Sequence, residues 1–133
     1  MTVALERARR AVIRVDRQER MEFPDERISG ILLSATPRAS ATVAFIAPGI
    51  SQTMHVHTRP DNGDEIIFVY RGAFKIAGDG WPDESYDTDA DGPVYLQVPT
   101  GVPASIVNVG TSEVAFYTLF VPPFSPGEIE YLE

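Results

Sequence analysis

Apolar and polar positions alternate in short runs along most of this chain. Ile28 to Ala35 and Ala41 to Ala47 are rich in β-branched and apolar residues and are parted by Pro37-Arg38, so both read as strands. The pattern returns at Gln52 to His57, Ile66 to Tyr70, Phe74 to Ala77, Val94 to Val98, Ser105 to Val109 and Val114 to Val121. Turn residues punctuate the series at Asp61-Asn62-Gly63-Asp64, Arg71-Gly72, Gly78-Asp79-Gly80, Pro99-Thr100-Gly101 and Gly110-Thr111. Many short, evenly punctuated strands predict an all-β sandwich or small barrel. Helical spacing occurs only near the N-terminus, where Leu5, Ala8 and Val12 recur among arginines, so Ala4 to Ile13 is read as a short helix or an irregular arm, with Pro24-Asp25 breaking what precedes them. The segment Trp81 to Gly92 reads as an acidic solvated loop, because its Asp residues lack the ordered ligands and terminal Glu of a calcium loop. The tail beyond Pro122 contains prolines without a ladder donor, and is expected to lie over the barrel or against a neighbouring subunit.

The chain has two histidines, and both stand in His55-Val56-His57. On a strand, residues i and i+2 project from one face with Cα atoms roughly 6.5 to 7 Å apart, so two imidazoles there converge on one ion. Glu65 is the natural third ligand, since a carboxylate is the usual companion of imidazole in open, reactive sites. Asp61 or Asp64 in the preceding turn offers an alternative carboxylate, and a pair of hydrogen-bonded core histidines is the alternative to a metal site. With no cysteine in the chain, thiolate ligands and Cys nucleophiles are excluded and only nitrogen and oxygen donors remain.

Read from Gly49, five residues precede His55-Val56-His57, seven residues separate His57 from Glu65, and six separate Glu65 from Gly72. This resembles the first motif of the cupin superfamily, G(x)5HxH(x)3-4E(x)6G, with an enlarged loop between His57 and Glu65. Residues 93–108 resemble the second motif, G(x)5PxG(x)2H(x)3N, through Pro99, Gly101 and Asn108, with Pro93 at the first glycine position. Ala104 stands where that motif has its histidine, the fourth metal ligand of the family. The resemblance spans about residues 40 to 124. It implies a cupin-type jelly-roll β-barrel, or double-stranded β-helix, in a single domain at 28–124, preceded by an N-terminal arm (1–27) and followed by a C-terminal tail (125–133).

His55, His57 and Glu65 thus form the expected metal set. Two histidines and one carboxylate with open positions match non-haem Fe(II) oxygenases, so Fe(II) is favoured, while Mn, Ni, Co, Cu or Zn suits the same donors. The expected activity is that of a dioxygenase-like oxidoreductase on a small organic molecule. Alternatives are a metal-dependent isomerase, cyclase or lyase, or a non-catalytic ligand-binding cupin. Glu65 is also the candidate acid or base if the site is metal-free. Arg59, two residues past His57, is a candidate partner for a substrate carboxylate, with a solvent-facing loop arginine as the alternative; Tyr117 and Gln97 are weaker candidates. Strand alternation places Thr53, His55, His57, Glu65, Ile67, Val69, Ala104, Ile106 and Asn108 inward. It leaves open whether Phe116, Thr118 and Phe120 or Ala115, Tyr117 and Leu119 line the cavity.

Net charge of −8 argues against nucleic-acid binding, which relies on clustered Lys and Arg. No run approaches the roughly 20 apolar residues of a membrane span, and residues 1–10 are too charged for a signal peptide, so a cytoplasmic protein without membrane contact is expected. Ile28, Ile31, Leu32 and Leu33 exceed what one small barrel obviously needs, which predicts a homodimer with the N-terminal strand at its interface.

Overall fold

Alternation along β2 (Ile28–Ala35) and β3 (Ser40–Ile46) sorts their side chains to two faces, and the same period organises the rest of the chain. The computed structural model describes residues 12–59 and 63–133. The remaining strands are β1 (Met21–Phe23), β4 (His55–His57), β5 (Glu65–Arg71), β6 (Ala73–Ala77), β7 (Ser85–Asp87), β8 (Val94–Val98), β9 (Ser105–Asn108), β10 (Val114–Phe120) and β11 (Ile129–Tyr131). The helix expected over Ala4 to Ile13 lies, but for its last two residues, outside the described residues. No helix among the described residues is long and apolar enough to cross a membrane.

One sheet has six strands in the order β1-β2-β3-β10-β5-β8. Facing it, β7, β6 and β9 form a second sheet, which continues through isolated bridges (Ser51 to Val107, His55 to Ala104) into β4 and then β11. Strands near in space are thus distant in sequence, as two interleaved Greek keys require. Between the sheets, Ile46, Val69, Phe74, Ile106, Val114 and Phe116 are buried almost completely. Each such side chain contributes roughly 1.5–3 kcal/mol. None of these residues is one of the histidines or Glu65, so this core does not rest on their side chains.

Gly72 closes the turn between β5 and β6 at φ +105°, where a Cβ would meet Val114 at 2.8 Å. Its N–H donates to the Thr88 hydroxyl, which opens a four-residue helix, α1 (Thr88–Asp91), capped by the Asp87 carboxylate on the Asp89 N–H. The acidic segment read as a plain loop therefore carries β7 and α1. Its acids cap and terminate backbone, which a count of charges does not reveal.

Three residues of the N-terminal stretch pair into the large sheet as β1, with Met21 opposite Gly30 and Phe23 opposite Ile28. Over the outer face of that sheet, Arg20 stacks on Phe45 at 3.5 Å and bonds Glu113 in a two-pronged ion pair. Of the residues invoked for dimerisation, Ile31 is buried within the chain, Leu33 packs with it, and Ile28 faces the interior cavity, while Leu32 remains largely exposed. The tail returns as β11, hydrogen-bonded to β4, the strand that carries both histidines.

Candidate metal centre and its cavity

Position and period bring the three expected ligands together. His55 and His57 project from one face of β4, and Glu65, the first residue of β5, lies opposite Phe120 of β10. One ligand atom from each of the three lies within 4.8 Å of the others, and all three residues are buried, 4, 5 and 7% exposed. The imidazole rings are edge-to-face with centroids 5.0 Å apart.

The donor chemistry fits a metal ion. His55 Nδ1 lies 2.7 Å from the Thr53 carbonyl oxygen, which fixes the proton there and leaves Nε2 as the free donor. Burial pushes the His55 pKa below its usual 6.5, outweighing the raising effects of the Thr53 carbonyl and Glu65, so the ring is held neutral. His57 Nε2 stands 3.3 Å from Glu65 Oε1 without hydrogen-bond geometry, and both ring nitrogens of His57 are buried with no hydrogen-bond partner. An unpaired buried polar group costs about 1–3 kcal/mol. A cation held by His57 and Glu65 would pair one of those nitrogens and offset the carboxylate charge, so the three residues are able to hold a divalent ion.

The buried neutral imidazole has a consequence for stability. Below about pH 6.5 the unfolded chain protonates His55 while the folded chain resists, so the His55 contribution is present above that pH and lost on acidification through the lowered folded value. In chelator, the urea midpoint of wild type is expected to fall more between about pH 7.5 and about pH 5.5 than that of His55→Gln. Equal losses contradict this assignment.

Ala104 occupies the register expected from its motif position. Its N–H donates to the His55 carbonyl at 3.0 Å and its carbonyl accepts from the His55 N–H at 3.2 Å. Directly opposed residues of an antiparallel pair share a face, so the Ala104 methyl points to the side of the sheet that carries His55.

The ligands line a cavity of about 270 Å³ whose wall is largely apolar. On β10 it is Phe116, Thr118 and Phe120 that face inward, with Phe23, Ile28 and Phe124 completing much of the apolar wall. His57 is edge-on to both Phe120 and Phe124, at centroid distances of 5.3 and 5.7 Å.

Several expected participants lie elsewhere. Tyr117 points to the opposite face of β10 and stacks on Tyr70 at 4.9 Å, so alternation removes it from the cavity. Arg59 is neither solvent-facing nor presented to the cavity: it is 3% exposed, donates to the Pro122 carbonyl, lies 3.5 Å from Glu128 and sits behind the Phe120 ring. It ties the C-terminal segment to the barrel. Asp64 accepts from Gln97 at 2.6 Å on the exposed surface, which turns both away from the histidines. Asp61 lies outside the described residues.

Glu26 went unnoticed in the sequence. It sits in the turn between β1 and β2, where its carbonyl accepts from the Thr53 N–H, and it contributes to the cavity wall. Burial raises its carboxyl pKa, Glu65 and Asp25 raise it further, and His57 opposes them. Pro24-Asp25 announced the turn, but nothing local announced what its next residue faces.

No protein-family model matches the chain, and no curated protein matches it by sequence. Solved structures do match it. The polyketide cyclase RemF from Streptomyces resistomycificus superposes with a TM-score of 0.74 at 15% identity, covering 94% of this chain and 87% of RemF. KdgF from a Halomonas species gives 0.63 at 21% identity, covering 80% and 90%. An RmlC-like cupin from Shewanella frigidimarina gives 0.62 at 16% identity, covering 80% and 86%. The chain therefore has the cupin fold, a double-stranded β-helix, with the two histidines and the glutamate of its first motif gathered at one end of the interior.

Proposed function

We propose that this protein is a metal-dependent enzyme acting on a small, largely apolar organic molecule that offers an oxygen to the metal. The observation that carries the reading is the convergence of His55, His57 and Glu65 in the wall of a largely apolar cavity. A divalent ion held by those three residues supplies Lewis-acid polarisation of a bound oxygen. The protein does the rest. Phe116, Phe120 and Phe124 exclude water and orient a flat substrate, and Thr53 holds the His55 ring in the tautomer that ligates.

Glu26 favours proton-transfer chemistry, of the kind used in cyclisation or isomerisation. A carboxyl whose pKa is raised by burial is suited to taking and returning a proton, and Glu26 faces the same cavity as the three ligands. The likeness to a polyketide cyclase over nearly the whole chain supports this reading. The donor set itself favours a second one, dioxygenase-like chemistry with Fe(II), since two histidines, one carboxylate and alanine at position 104 leave positions open for substrate and O2.

One experiment separates them. Protein loaded with Zn(II) or Fe(II) is incubated with a panel of neutral phenols and polyketide-like ketones, with and without air. Turnover of the Zn(II) form under argon supports the cyclase or isomerase class. Turnover by the Fe(II) form alone, with stoichiometric O2 uptake, supports the oxygenase. Absence of bound metal after loading contradicts both.

We also propose a homodimer. Phe68, Tyr95 and Leu119 are exposed on the outer face of the large sheet, and Phe68 and Tyr95 are directly paired. Burying this apolar surface against a second copy removes it from water. Sedimentation at micromolar concentration is expected to give the dimer mass for wild type and the monomer mass for Phe68→Glu; a monomeric wild type contradicts the assignment.

A further inference from the structure

Resting on the metal-dependent reading above, we infer that Glu26 makes the cavity selective for neutral ligands, admitting flat hydroxyl- or carbonyl-bearing aromatics and rejecting the matching carboxylic acids. Apart from the histidines, the charged side chains that line the cavity among the described residues are Glu26 and Glu65, and no Lys or Arg joins them. The arginines that closely follow His57 and Glu26 in sequence are engaged elsewhere. Arg59 is bound to the Pro122 and Pro123 carbonyls with Glu128 beside it, and Arg27 pairs with Glu133 at 2.9 Å. Among the described residues, a substrate carboxylate entering this cavity meets no guanidinium or ammonium group.

Charge balance leads to the same ligand class. With Glu26 ionised, a divalent ion beside the two carboxylates is neutral overall, and without the ion the site is negative. In neither state is there positive charge left over for a bound anion. Burial first and then the Glu65 carboxylate raise the Glu26 pKa, and the same repulsion acts on any further carboxylate placed beside these two lining residues. A hydroxyl group, by contrast, donates a hydrogen bond to Glu26 while its ring packs against Phe116, Phe120 and Phe124. A cavity of about 270 Å³ lies near the lower end of small-molecule sites, which suits one or two fused rings. Glu65 is committed to the histidines, so Glu26 is left as the residue that sets ligand charge.

The test uses 2-naphthol and 2-naphthoic acid as matched probes, titrated calorimetrically into the full-length protein, both zinc-loaded and in chelator, with zinc content measured on each sample. Wild type is expected to prefer the naphthol by at least about tenfold, the size of one like-charge interaction that moves a pKa by about one unit. Glu26→Gln should shrink that preference by about tenfold, chiefly by admitting the acid. Glu26→Asp, which keeps the charge, should retain it. Naphthoic acid binding to wild type as tightly as naphthol overturns the inference, as does an unchanged ratio in Glu26→Gln. Charge selectivity in a protein that takes up no zinc sinks the metal-dependent reading alone. Stoichiometric zinc without charge selectivity sinks this inference alone.

Discussion

Alanine at either His55 or His57 is expected to strip the protein of its metal while leaving the barrel folded. Each histidine supplies one of the three ligands grouped among the described residues, and disturbing even the outer partners of a metal ligand costs about 10–100-fold in affinity. Loss of a ligand itself is therefore expected to cost at least about 100-fold, and the double variant should copurify with none. The fold survives because Phe74, Ile46, Ile106 and Val114 bury themselves between the sheets and do not line the cavity. In chelator the thermal midpoint of His57→Ala should move little. The apolar contacts that the ring loses against Phe120 and Phe124 are offset by removal of two buried nitrogens that have no hydrogen-bond partner. Equilibrium dialysis with metal analysis, alongside thermal unfolding, checks both halves. Stoichiometric metal in the double variant contradicts the ligand assignment.

Ala104→His is expected to act in the opposite direction. The backbone of residue 104 exchanges both hydrogen bonds with His55, so a side chain there leaves the sheet on the same face as the ligating imidazole. An imidazole at that position adds a fourth ligand and should tighten metal binding by about tenfold or more. It also takes a position that substrate needs, so turnover should fall as affinity rises. That paired change distinguishes added ligation from a general effect on stability. Unchanged affinity with unchanged turnover means that residue 104 does not reach the centre.

Much of this architecture was legible in the chain because it rests on local period and spacing. Strands read at Ile28 to Ala35 and Val94 to Val98 match those observed, and the others differ at their ends by a few residues. The histidine pair and Glu65 were visible for the same reason, since two-residue alternation on one strand fixes a face without knowledge of the partner strand. Long-range placement was not legible. Tyr117 and Phe116 are neighbours in sequence on opposite faces, and only the pairing of β10 with β3 and β5 decides which one meets the cavity. Arg59 follows the site by two residues, yet the tail's carbonyls and Glu128 capture it from 63 and 69 residues away. Glu26 lines the cavity because the turn between β1 and β2 is held beside Thr53 by a hydrogen bond to the Glu26 carbonyl, and no local pattern encodes that contact.

The most direct test of the account is a crystal structure of the metal-loaded protein with anomalous diffraction collected at the absorption edge of the added ion. The expected result is a single strong anomalous peak about 2.0–2.2 Å from His55 Nε2, from an imidazole nitrogen of His57 and from a carboxylate oxygen of Glu65. An ion bound elsewhere, or histidines hydrogen-bonded to protein groups with no anomalous peak between them and Glu65, would contradict it.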